Sequence, residues 1–83
     1  MNFTPESIAY RDSLMTDEDY DTADRIELVL EASERGGMTP SQVGRKVKAS
    51  TSTTRRILDW MVARQFAHTT GNGAWAHYHA GRA

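Results

Sequence analysis

The sequence predicts a mainly α-helical domain that closes on a C-terminal β-hairpin, and three observations predict it. Apolar residues recur at helical spacing between residues 22 and 65. Hydroxyl residues and prolines stand where those helices would begin. Asn72-Gly73 then separates two short β-compatible runs, a strong local hairpin signal. With 83 residues there is room for one small domain.

Composition narrows the class. Hydrophobic residues make up 39% of the chain and charged residues 25%, the balance of a globular domain and not of a disordered or membrane-spanning one. No apolar run approaches the length of a transmembrane helix. Residues 1–6 lack the basic start and apolar stretch of a secretory signal, so a cytoplasmic protein is expected. The absence of cysteine excludes disulfides and thiolate metal sites.

The first helix is expected to open at Thr4, whose hydroxyl caps it, with Pro5 in the first helical position and Glu6 near the positive end of the dipole. Its apolar residues Ile8, Tyr10, Leu14 and Met15 do not form one stripe. The acidic run 16–21 reads either as a helix start or as a solvated linker. Residues 1–21 are therefore an acidic segment, a short helix or dimer arm, ahead of a domain at 22–83. From Thr22, capped by Asp21 or Thr22 itself, Ile26, Val29, Leu30 and Ser33 form one helix face that Gly36-Gly37 ends.

Thr39-Pro40-Ser41-Gln42 is a complete capping box. The short helix behind it turns Val43 and Val47 inward and spreads Arg45, Lys46 and Lys48 outward. Residues 49–52 suit a tight turn and a new cap. A longer helix follows, from about residue 52 to 65, with Thr54, Ile57, Leu58, Met61 and Gln65 on its inner stripe and Val62 widening it. Trp60 lies beside that stripe, as a core or dimer contact.

Net charge is −1, but it is unevenly laid out. Residues 1–34 hold ten acidic and two basic residues, whereas residues 35–83 hold eight basic residues and the single Asp59. A polyanion-binding face on the second half is one reading, and a solvated basic surface is the other.

Two helices joined by a short turn, the second basic and hydroxyl-rich at its start, form a helix-turn-helix, and a following hairpin makes it a winged one. Residues 39–73 resemble the DNA-binding domains of the MarR and IclR families in three places: Ser52-Thr53 at the helix start, Arg56-Ile57-Leu58 two turns in, and Phe66 leading into the wing. The sequence departs from them at Ala49, where a larger aliphatic residue is usual, and at Gln65, where glycine is usual. The resemblance implies a small phage, plasmid or bacterial regulator, a repressor that binds double-stranded DNA. Thr51, Ser52, Thr53, Arg55 and Arg56 are then expected at base edges and Thr39, Arg45, Lys46 and Lys48 at phosphates. Asn72, Trp75 and His77 are the expected wing contacts.

The histidines of the hairpin depend on its register. A two-residue turn at Asn72-Gly73 puts His68 opposite His77, with His79 on the same side, and three imidazoles there could hold zinc. A three-residue loop at 71–73 pairs Phe66 with Tyr78 toward the core, turns Trp75, His77 and His79 outward, and moves His68 to the other face. Burial of two aromatic side chains, worth on the order of 2 kcal/mol each, favours the second register and no metal.

A homodimer is expected, because two copies double a small footprint on a palindromic site. Tyr10, Leu14, Met15 and Tyr20 are the apolar residues available for it. The alternative is a winged-helix module that binds a host protein through its acidic half and exposed hairpin. No nucleophile motif or phosphate loop suggests an enzyme, and no cofactor or membrane partner is expected.

Overall fold

Thr4, Thr16, Thr39 and Ser50 each accept a hydrogen bond from the backbone N–H three residues on, and a helix starts behind each. The computed structural model describes residues 3–33, 36–71, 73 and 76–82. Its elements are α1 (Pro5–Ser13), α2 (Asp17–Ala32), α3 (Pro40–Val47), α4 (Thr51–Ala63), β1 (Ala67–Thr70) and β2 (His77–Ala80). The chain is thus mainly helical, with a two-stranded antiparallel hairpin near its C-terminal end.

Three helix boundaries differ from those the sequence suggests, one of them the end of α2, which stops at Ala32 with Ser33 extended at ψ 157°, ahead of Gly36-Gly37. The acidic run belongs to α2, because Thr16 and Asp19 cap one another reciprocally and three acidic side chains lie in the first turn, at the positive end of the dipole. At the other end, α4 stops at Ala63. Gln65 takes a left-handed conformation, φ 63°, and leaves the inner stripe. The Phe66 N–H closes the helix end on the Met61 carbonyl at 2.8 Å.

The core sits between α2, α3, α4 and β2, where Ile26, Leu30, Val43, Val47, Ile57, Leu58, Met61 and Tyr78 are buried. Trp60 joins it. Gly44 lets α3 press against the turn that follows, since a Cβ there would lie 2.9 Å from the Ala49 carbonyl. The Ala49 N–H in turn donates to the Gly44 carbonyl at 3.0 Å.

The hairpin has neither expected register. Thr70 pairs with His77 and His68 with His79, so the connection is longer than two or three residues. The reason lies at Phe66. Its N–H is spent on α4, so the strand begins at Ala67, and Ala67, Ala76 and Tyr78 are buried in its place. Phe66 itself is 49% exposed. The outer face of the hairpin carries His68, Thr70, His77 and His79, so His68 shares the side of the other histidines instead of changing faces. Met38, just ahead of α3, adds a rung to β2 through two backbone hydrogen bonds with Tyr78, at 3.0 and 2.7 Å.

Candidate functional site

A three-residue turn, Lys48-Ala49-Ser50, brings the C-terminal end of α3 to the N-terminal end of α4. Lys48 makes the turn by adopting φ 59° and ψ 45°. Ser50 caps α4, accepting from the Thr53 N–H at 3.1 Å. Thr51 and Ser52 are exposed in the first turn of α4, while Thr53 is half-buried. Arg45, Lys46, Lys48 and Arg55 are exposed around this junction, and none is ion-paired among the described residues. Arg45 and Lys46 also stand on one side of an open groove of 640 Å³, whose other lining includes Val29 and Met38.

Arg56 stands apart from that group. Its guanidinium spans both carboxylate oxygens of Asp19, at 2.9 and 3.0 Å, and donates to the Leu14 carbonyl at 3.3 Å. The sequence places it beside Arg55 as a base contact, whereas the structure commits it to the junction of α1 and α2. Asp19 is 7% exposed. Its hydrogen bonds from Arg56 outweigh burial and hold its carboxyl below the usual carboxylate range, and the pairing raises the Arg56 guanidinium in turn.

Arg64 is occupied in the same way. Asp12 accepts from Arg64, Nε at 3.0 Å and a terminal nitrogen, and from the Trp60 indole N–H at 2.7 Å. These bonds, Arg64 foremost, lower the Asp12 carboxyl. Arg25 reaches from α2 to the Val47 carbonyl at 3.1 Å, where a cation suits the negative end of α3. Sequence reading missed these roles because Arg56 and Arg64 lie 37 and 52 residues from their carboxylates, beyond any local pattern.

Thr39 Oγ1 accepts from the Gln42 N–H as part of the cap of α3. Of the wing residues, Asn72 and Trp75 lie outside the described residues, and His77 is half-buried on the outer face of β2. The Tyr78 phenol donates to Asp59 at 2.8 Å, and burial together with that carboxylate raises it above its ordinary range. His68 Nδ1 donates to the Gly81 carbonyl at 2.8 Å, and His79 Nε2 lies 2.9 Å from Thr70 Oγ1. Among the described residues no group of three metal-ligating side chains is placed to hold an ion. No helix among them is long and apolar enough to cross a membrane.

The apolar residues expected at a dimer contact divide. Tyr10, Leu14 and Tyr20 are exposed, but Met15 packs against the core. The chain matches no protein-family model, no curated protein and no solved structure.

Proposed function

We propose that this protein binds double-stranded DNA as a winged helix-turn-helix, reads sequence with the N-terminal part of α4, and acts as a transcriptional repressor. The observation that carries this reading is the sorting of the basic residues. Asp19 and Asp12 neutralise Arg56 and Arg64, while Arg45, Lys46, Lys48 and Arg55 stay exposed and unpaired among the described residues where α3 meets α4. A merely solvated basic surface has no need of that arrangement.

In this reading the first turn of α4 enters the major groove. Arg55 takes guanine O6 and N7, and Thr51 and Ser52 reach bases or phosphates. Arg45, Lys46 and Lys48 hold phosphates and set the register, and they attract every sequence alike. The Met38 rung ties the hairpin to the segment ahead of α3, and the Tyr78 phenol donates to Asp59, one turn along α4 from Arg55. A second copy, joined through exposed Tyr10 and Leu14, would extend the footprint over a palindromic site.

Binding to duplex fragments tests the proposal. Arg55→Ala is expected to cost about 1–3 kcal/mol on the preferred fragment and little on others. Lys46→Ala is expected to weaken all fragments equally. Equal loss in both variants across all sequences would remove base reading from α4. The alternative, a protein-binding module, is favoured by one feature. Leu28 is 66% exposed on α2 beside the exposed Asp24 and Glu31. That reading predicts no DNA binding even at low salt.

A further inference from the structure

Trp60 lies about 140° around α4 from Arg55, on another side of the helix from the proposed DNA face. There it meets two other aromatic rings edge to face, Tyr20 at 5.5 Å and Phe66 at 5.6 Å between centroids. Trp60 is 8% exposed, but Tyr20 and Phe66 are 43% and 49% exposed. Together with Ala23, Asp24, Glu27 and Met61 they line an open cleft of 220 Å³. Both carboxylates of the cleft are exposed, and neither is ion-paired among the described residues.

An apolar floor, three aromatic rings and two exposed carboxylates with no ion pair among the described residues select one kind of occupant, a cation on an apolar stem. The rings attract a cation through their quadrupoles, the floor takes its methylenes, and Asp24 and Glu27 supply the counter-charge. The cleft is also smaller and more open than sites that enclose a free small molecule, so a side chain held by its own backbone suits it better. Further exposed carboxylates, Asp17, Asp21 and Glu31, lie along the same helix to meet flanking positive residues.

We propose that the cleft between α2 and α4, built from Tyr20, Trp60, Phe66, Asp24 and Glu27, receives a lysine or arginine side chain from a basic segment of a partner protein. The proposal does not depend on DNA binding, since it uses none of Arg45, Lys46, Lys48 or Arg55.

Backbone and indole N–H resonances of the full chain, titrated with acetylated and amidated Gly-Lys-Gly and Gly-Arg-Gly peptides, test it. The expected result is a saturable shift confined to Tyr20, Ala23, Asp24, Glu27, Phe66 and the Trp60 indole, with millimolar affinity. The uncharged norleucine peptide is expected to produce none. The double variant Asp24→Asn, Glu27→Gln should bind at least five-fold more weakly while melting at an unchanged temperature. Equal binding of the norleucine peptide would overturn the proposal, leaving only an apolar groove. So would binding of tetramethylammonium without either peptide, which would make the ligand a free small ammonium. An unresponsive cleft overturns it too, including the case in which sedimentation shows a dimer that Tyr20→Ala dissociates, because a second copy would then be the occupant.

Discussion

Gln65 shows how a single backbone angle ties the sequence to the fold. It stands in the left-handed region at φ 63°, where a Cβ crowds the neighbouring carbonyl at a cost of about 1 kcal/mol or more. Glycine relieves that crowding but loses part of the gain to its freer unfolded chain. Gln65→Gly is therefore expected to raise stability by about 0.5–1 kcal/mol, read as a higher urea midpoint at constant slope. A lowered midpoint would mean that the contact from Arg82 to Gln65 outweighs the backbone term. The departure from the resembling families at this position was visible in the sequence, but its consequence was not. Helical spacing puts Gln65 on the inner stripe, and the left-handed turn takes it out of the helix.

Asp19 is the residue through which one element is fastened to another. It closes the cap of α2 and holds Arg56 of α4 with both oxygens. Asp19→Asn keeps the shape but removes the charge, so a loss of about 2 kcal/mol is expected. The sign of its pH dependence follows from its lowered carboxyl. Its contribution is present above the ordinary value of 3.8 and is lost as the pH falls through the lower folded value. Acid unfolding of the Asn variant should accordingly be shallower below about pH 4. A curve that superimposes on the parent would show that the pair contributes nothing.

The hairpin has a titration of its own. Burial foremost, then His68 and His77, holds the His79 imidazole below its ordinary value of 6.5. His68 stacks on it at 4.9 Å, and the space beneath is closed by Gly37, where a Cβ would meet the ring at 2.6 Å. The neutral ring supports the fold in full above pH 6.5, and that support is lost as the pH falls through the lowered folded value. Amide exchange across β1 and β2 should quicken below pH 6.5 after correction for intrinsic rates, and His79→Gln should abolish the effect. A pH-independent protection factor in the parent would contradict this.

Local chemistry explains which elements were legible. The caps at Thr4 and Thr39 and the inner positions Ile26, Leu30, Val43, Val47, Ile57, Leu58 and Met61 follow from near-neighbour rules, and the structure has them where those rules put them. The hairpin register did not follow, because it depends on Phe66 spending its N–H on α4 and on Tyr78 reaching both Met38 and Asp59. Those are long-range choices. Within the candidate site, exposure of Arg45, Lys46, Lys48 and Arg55 agrees with the outward helical positions read from the sequence. The sequence puts Arg56 with Arg55 at base edges, and only the tertiary approach of Asp19 separates the two.

Across the whole molecule, charge is divided as the sequence divides it, but the division is not simple opposition of two halves. Part of the acidic half is turned inward through Asp12 and Asp19 to fasten α1 and α2 onto α4. What remains is an acidic outer surface on α2 and a basic one at the junction of α3 and α4. Whether this basic surface meets DNA is decided by a salt titration of binding to mixed duplex fragments. If Arg45, Lys46 and Lys48 contact phosphates, log affinity should fall against log salt with a slope of about −3 per protomer. One fragment should remain bound at salt concentrations that release the rest, which is the mark of base reading. No binding at low salt, or binding with no dependence on salt, would contradict the account.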